Sequence, residues 1–321
     1  MPSLLRLLFA VLVVQLALPA AAQTWPSQPI RLIAPFPPGG SVDITARLIA
    51  EPLGAQLGTR IVIDNRSGAS GNIGMEAAAR ASADGYTLVL NTIPLVTNQA
   101  LFDKLTWDPI RDFAPIGMVA TSPHVLVIPK HVSAPNVAEL VKLARAQPGR
   151  MSYASAGVGT TFHICGEMFK DTTGTFILHV PYRGGGPALL DTLSGQVDMS
   201  FPTLSAALPH VKAGTLRALA VTGSTRSALL PDVPTLHEAG VKDFAFTQWL
   251  ALLAPANTPR PVIQRLNDAL RVALGTREVR EKFEAQAFVP FATTPEEAGK
   301  FIAAEAQRLS RVIKTKGITA N

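Results

Sequence analysis

A strand-length apolar run, Ile30–Ala34, enters the turn Pro35-Phe-Pro-Pro-Gly-Gly40, which opens directly into a helix beginning near Ser41. A chain built this way must bury the strand in a sheet and lay the helix back across it. Gly39 and Gly40 lack the Cβ that would keep a ligand off the backbone. The first N–H groups of the helix have no partner within it, so they favour an anion above the strand end. A second segment repeats the arrangement: the apolar run Met151–Ala154, the turn Ser155-Ala-Gly157-Val-Gly159, then Thr160-Thr-Phe-His163 at a helix start. Two such turns on separate halves of one chain predict a cleft that closes on a small acid. Taken singly, each is explained as well by an ordinary βα connection, since short glycine-containing turns are common there.

The same alternation runs through the chain. Ten strand-length runs, from Ile30–Ala34 to Trp249–Ala254, are separated by stretches with helical spacing, such as Val137, Leu140, Val141 and Ala144. This order predicts an α/β fold with mainly parallel sheets flanked by helices. Thr294-Pro-Glu-Glu297 supplies an N-cap, a first-turn proline and the glutamate of a capping box for a C-terminal helix. A second proline-started helix is expected from about Pro259 to Leu274. Ser122-Pro123 and the stretch Phe246–Trp249 flank a central block with βα units of its own. The expected division is a discontinuous lobe of 23–123 with 247–321, and a second lobe of 124–246.

Residues 1–22 read as a secretory signal peptide. Arg6 is the only charge, Leu7–Leu18 is an apolar core, and Ala20-Ala-Ala22 offers a cleavage site before Gln23. The run is too short to span a membrane. Without it the formal charge is +5 against +6 for the whole chain. That basic balance is spread thinly, with no Lys/Arg cluster of the kind that binds nucleic acid. The single cysteine, Cys165, excludes an intrachain disulfide. The six histidines show no metal-ligand spacing, no Walker lysine follows a glycine turn, and no nucleophile elbow occurs. No cofactor is expected.

The candidate ligand residues lie in four loops. In the first, Phe36 can cover an apolar part of a ligand, Gly40 and Ser41 offer amides, and Asp43 sits in the first helical turn. In the second, Asn65–Gly74, glycines recur as G-x-x-G-x-x-G, which is not the dinucleotide spacing. There Ala69, Ser70 and neighbouring amides are available to a carboxylate. In the third, Ser155, Gly159, Thr160 and His163 precede or open a helix. His163 and Cys165 stand two apart on that helix, so they point to different sides, and the cysteine reads as a small buried hydrophobe. In the fourth, Val180-Pro-Tyr182-Arg-Gly-Gly-Gly186, Tyr182 can stack and hydrogen-bond, while Arg183 either pairs with an acid or faces solvent.

Four of these signatures in order carry a resemblance to a known family. Pro35-Phe36-x-x-Gly39-Gly40-x-x-Asp43, Asn65-Arg66 with Gly68-Ala69-x-Gly71-Asn72-Ile73-Gly74, Ser155-x-Gly157-x-Gly159-Thr160-x-x-His163, and Val180-Pro181-Tyr182-x-Gly184-Gly185 resemble the exported receptors of tripartite tricarboxylate transporters, the Bug receptors. The resemblance covers essentially the whole length. It implies a monomeric, two-lobed periplasmic binding protein of the Venus-flytrap kind (type II-like), not an enzyme, that hands a small carboxylate to membrane permease subunits. It also implies that amides and hydroxyls of the loops hold the carboxylate. The ligand could be an amino acid, a dicarboxylate, a citrate-like acid or an aromatic acid, or a neutral amide such as nicotinamide. Ser67 and Ser70 depart from the more usual Pro and Gly, and Cys165 stands where a small non-cysteine residue is more common, which bears on which acid fits. A secreted enzyme using His163 or Asp43 as a base, and a receptor that signals to a sensor kinase, are the competing expectations.

Overall fold

The computed structural model describes residues 25–315 and 317–319, so the signal-peptide expectation for 1–22 lies outside the described residues. The chain runs β1 (Ile30–Ala34), α1 (Ser41–Leu57), β2 (Ile61–Asn65), a short 3-10 turn (Ala69–Gly71), α2 (Asn72–Ala79), β3 (Thr87–Asn91), α3 (Pro94–Leu101) and β4 (Phe113–Pro123). It continues through β5 (Val125–Pro129), α4 (Val137–Ala146), β6 (Ser152–Ser155), α5 (Thr161–Thr173), β7 (Leu178–Pro181), α6 (Gly185–Ser194), β8 (Met199–Ser200), α7 (Leu204–Lys212) and β9 (Leu216–Val221). It closes with β10 (Thr247–Pro255), α8 (Arg260–Gly275), α9 (Arg277–Ala285), β11 (Val289–Pro290) and α10 (Pro295–Thr315).

Two sheets result. The first has the order β11-β4-β10-β3-β1-β2 and draws strands from both ends of the chain; the second has the order β7-β6-β8-β5-β9. The local sequence explains their helices. Asn136 caps α4 by accepting from the Glu139 amide, and Thr294 and Glu297 form the expected reciprocal capping box at α10 (2.8 and 3.2 Å). Period-two alternation sorts the strand side chains between layers. Leu32, Leu88, Leu90, Leu250 and Leu252 face α1, α8 and α9, whereas Ile33, Val89, Ala251 and Leu253 face the opposite core. That second core runs on into the other sheet through Leu126, Tyr153, Phe169, Phe201 and Phe246.

The expected mainly parallel sheets are corrected to mixed ones. β1 pairs β2 and β3 in parallel, and β6 pairs β7 and β8 in parallel. The pairings made by β10 with β3 and β4, by β11 with β4, and by β5 with β8 and β9 are all antiparallel. The reason is the path of the chain. A strand followed by a helix returns to the same end of its sheet and runs parallel. β5 and β10 instead enter directly from the other sheet, and so enter from the opposite end. The parallel parts share one plan, β2-β1-β3 and β7-β6-β8, and in each the glycine turn follows the middle strand. Those carboxyl ends are where open α/β sheets bind ligands.

Candidate functional site

The first turn is fixed by its own helix. Gly39 adopts φ +83°, Gly40 is extended (φ −81°, ψ 167°), and α1 starts at Ser41. The Gly39 amide donates to Asp43 Oδ2 at 3.0 Å. Arg47 donates to both Asp43 oxygens at 3.0 Å, and Asn65 Nδ2 donates to Asp43 Oδ1 (3.0 Å) and to the Phe36 carbonyl (3.1 Å). Burial opposes ionisation of Asp43, but the bonds from Arg47, Gly39 and Asn65 outweigh it and hold the carboxyl below its ordinary value. The carboxylate is therefore fully engaged in shaping the turn.

The second turn has the same backbone. Gly159 adopts φ +77°, Thr160 is extended (φ −72°, ψ 165°), and α5 starts at Thr161. The Gly159 amide donates to His163 Nδ1 at 3.1 Å, so that nitrogen presents a lone pair. Burial, helped by the Lys170 charge, lowers the His163 pKa to about 4. His179 stacks on His163 at 4.2 Å and on Tyr153 at 4.9 Å, and its Nε2 lies 2.6 Å from Ser155 Oγ. Its pKa is lowered to about 3, first by burial and then by its neighbours His163 and Lys170. Ser155 Oγ in turn accepts from the Gly157 amide at 3.1 Å. Behind this stack Tyr153 donates to Glu167 at 2.6 Å, and Lys170 pairs with the same carboxylate at 2.7 Å. Cys165 is fully buried beside it, its thiol pKa pushed up by burial.

The Asn65–Gly74 loop is strained. Gly68, Ala69, Ser70 and Gly71 all have positive φ, including 46° and 54° at the two non-glycine residues. Asn98 Nδ2 holds the Ser70 carbonyl (3.0 Å) and Asn72 Oδ1 (2.8 Å). A Cβ on Gly71 would meet the Phe36 ring at 3.0 Å, so glycine there lets the ring lie against the loop.

These loops enclose two adjoining chambers. The first, of about 230 Å³, is bordered by Phe36, Gly40, Ser41 and Thr160 among the expected residues. The second, of about 640 Å³, is bordered by Ala69, Ser70 and Tyr182, with Arg183 and again Phe36. Asp43, Ser155, Gly159 and His163 border neither; they stand behind the walls and hold them. The structure also brings Gly185 of the fourth loop to the first chamber, with Thr92, Thr161, Phe162, Thr203 and His210, which were not candidate ligand residues in the sequence. All but His210 share one signal: each follows a strand's carboxyl end or opens the helix after it, whereas His210 lies in the last turn of α7.

The walls of the first chamber contain the first turns of five helices. Ser41 and Val42 open α1, Pro94 opens α3, Thr161 and Phe162 open α5, Gly185 and Gly186 open α6, and Thr203 and Ala206 border α7. Unpaired N–H groups at a helix start carry about half a positive charge; α3 supplies none, because Pro94 has no N–H and the Leu95 and Val96 amides donate to the Thr92 and Ile93 carbonyls at 2.8 and 2.9 Å. Among the described residues no lysine or arginine borders this chamber, and His210 is the one wall residue with a basic side chain. About 230 Å³ corresponds to some eight waters at ~30 Å³ each, the size of a small molecule.

The two halves touch around the chambers. Thr97 Oγ1 donates across to the Gly159 carbonyl at 2.7 Å. A Cβ on Gly157 would come within 3.2 Å of Ser70 Oγ, and one on Gly184 within 2.8 Å of Pro37. Among the described residues no set of three or more His, Cys, Asp or Glu could hold a metal, and no helix is long and apolar enough to cross a membrane.

Comparison with known proteins points one way. Residues 45–318 match the family described as tripartite tricarboxylate transporter family receptor. Protein BugT of Bordetella pertussis is 38% identical over 304 residues, covering 94% of this chain and 93% of its own. A solved structure described as a periplasmic transporter is 39% identical, with a TM-score of 0.89 over 92% of this chain and 100% of that one. A protein of R. palustris, solved with adipate, is 36% identical with a TM-score of 0.89, over 92% of this chain and 99% of its own.

Proposed function

The chain belongs to the tripartite tricarboxylate transporter family of solute-binding receptors, and on that premise we propose that it binds a small carboxylate in the first chamber and delivers it to membrane permease subunits. The observation that carries this reading is the convergence of four amide-bearing helix starts, those of α1, α5, α6 and α7, on a chamber that no described lysine or arginine borders. Backbone amides and hydroxyls held by rigid helices satisfy a carboxylate without the ordering cost of long cationic side chains. Apolar walls at Phe36, Val42, Pro94, Phe162 and Leu189 suit the carbon skeleton of that acid. The adipate found in the R. palustris relative makes a short dicarboxylate the first candidate.

In this reading 23–123 with 247–321 form one lobe and 124–246 the other, and the ligand favours the closed arrangement by contacts available only there. Phe36, Gly40, Ser41 and Thr160 contact the ligand; Ala69, Ser70 and Tyr182 border the approach through the second chamber. Asp43, Ser155, Gly159 and His163 position the turns. A base at Asp43 or His163 has little support, because hydrogen bonds to the turns occupy both Asp43 oxygens and His163 Nδ1. We therefore read the protein as a monomeric receptor rather than an enzyme, exported to the periplasm through a signal peptide at 1–22.

Calorimetry with adipate, succinate, malate and benzoate, each against its primary amide, tests the anion reading. At least one acid should bind, at least ten-fold more tightly than its amide and with little change between 50 and 300 mM salt, since buried charges are weakly screened. Equal affinity for acid and amide would overturn it.

A further inference from the structure

The wall that α7 gives the first chamber changes along its length. Thr203, Ala206 and His210 all border the chamber, and spacings of three and four put them on one face of the helix. The start of α7 lies among other helix starts. Thr203 makes an isolated β-bridge with His124, whose ring meets the Phe162 ring edge-on at 5.6 Å, and a Cβ on Gly185 would lie 3.2 Å from that same Phe162 ring. The first turns of α5 (with Thr161), α6 and α7 thus gather at one end of the chamber. His210 stands seven residues farther along α7, about 10 Å at 1.5 Å per residue. Between them Ala206 presents only a methyl group, and Leu189 adds apolar wall. His210 meets the chamber with its ring, because its backbone is engaged elsewhere: its carbonyl accepts from the Thr215 amide at 2.9 Å and the Thr215 hydroxyl at 3.0 Å. The residue is half-buried, and neither ring nitrogen has a hydrogen-bond or ion-pair partner among the described residues. An imidazole carries one N–H when neutral and two when protonated, so the ring has a donor to give.

We propose that His210 is a specificity-determining residue that binds the far carboxylate of a diacid whose near carboxylate is held at the helix starts. The inference rests on the carboxylate reading above and adds two things to it, a preference for a second acid group and a length between the two. Amides at the helix starts read one carboxylate whatever it is attached to. The ring at the other end of α7 reads what lies across the apolar wall. A diacid too short to reach it sets a charge against Ala206 and Leu189 with no partner, which is costly. An acid with one carboxylate and the same skeleton gains nothing from the ring.

The test titrates wild type and His210→Ala with succinate, glutarate, adipate and pimelate, each beside its monoamide, which keeps the length and neutralises one end; benzoate serves as a further acid with one carboxylate. In wild type the best diacid should bind at least ten-fold more tightly than its monoamide. His210→Ala should weaken that diacid about ten-fold and leave its monoamide within about three-fold. Without ligand the variant should melt close to wild type, since a partly exposed side chain without a partner is lost. Equal affinity of wild type for diacid and monoamide, or of wild type and His210→Ala for the diacid, overturns the inference and leaves the carboxylate reading standing. An equal loss of diacid and monoamide in the variant overturns it too, since His210 would then only shape the wall. Wild type that binds benzoate but none of the diacids overturns this inference alone, and wild type that binds no acid of the set overturns both readings together.

Discussion

The turns at Gly39 and Gly159 share one backbone and differ in what fixes it. In each, a left-handed glycine precedes an extended residue and a helix start, and the glycine amide donates to the side chain four residues on. In the first turn the acceptor is an ionised carboxylate, Asp43, itself tied to Arg47 and Asn65. In the second it is the neutral imidazole of His163, stacked on a second neutral imidazole. The same geometry is thus reached once through charge and once by excluding charge. The two also differ in surroundings. A Cβ on Gly39 would meet nothing within 4 Å, while one on Gly159 would come within 2.9 Å of Asn98 Oδ1 and Leu101 Cδ1 on the facing half.

That contrast can be broken most directly at Gly159. Gly159→Val should prop the halves apart and weaken binding of the best acid at least 100-fold, about 3 kcal/mol, with the fold retained by circular dichroism. The same change at Gly39 meets only the cost of a left-handed backbone, about 1 kcal/mol. Binding within ten-fold of wild type in Gly159→Val would remove the close approach from the account. A smaller effect is expected at the charge. Asp43→Asn should cost about 2 kcal/mol in denaturant unfolding, the scale of hydrogen bonds to a charged group, whereas an unchanged midpoint would mean that Asp43 does not hold the turn.

Acidification separates the two turns. The pKa of His163 falls from 6.5 to about 4 on folding. The unfolded chain therefore binds protons first, and stability present above pH 6.5 is lost as pH falls towards 4, by up to about 1.4 kcal/mol per unit. His179 and His124, lowered mainly by burial to about 3 and about 4, act in the same direction. Asp43, lowered on folding, keeps its contribution through this window and loses it only as pH falls below the ordinary carboxylate range. Melting curves between pH 7 and 5 should slope accordingly, and His163→Asn should flatten the slope by roughly a third. An identical slope in the variant would exclude His163 from the effect.

What could be read from sequence was what is local. The strand-turn-helix junctions at Ile30 and Met151, the capping box at Thr294 and the buried Cys165 all depend on neighbours within a few positions, and each is found in place. Strand direction was not legible for β5 and β10, because it depends on the end from which a chain enters a sheet it has left. The chamber walls were legible only in part. Phe36 and Ser41 announce themselves by the glycines beside them. Thr92 has only the end of β3 before it, and His210, in the last turn of α7, has no local marker at all. The pairing of His163 with His179 was equally hidden, since fifteen residues, mostly helix and loop, separate them in the chain.

The five helix starts around the first chamber are divided between two bodies. α1 and α3 belong to the sheet built from β1–β4, β10 and β11, and α5, α6 and α7 to the sheet built from β5–β9. On the proposed function, an acid held by that ring would be held by neither share alone. Parting the sheets would divide the field at once, with no proton to add and no counter-ion to import, so that whatever parted them would also unload the acid.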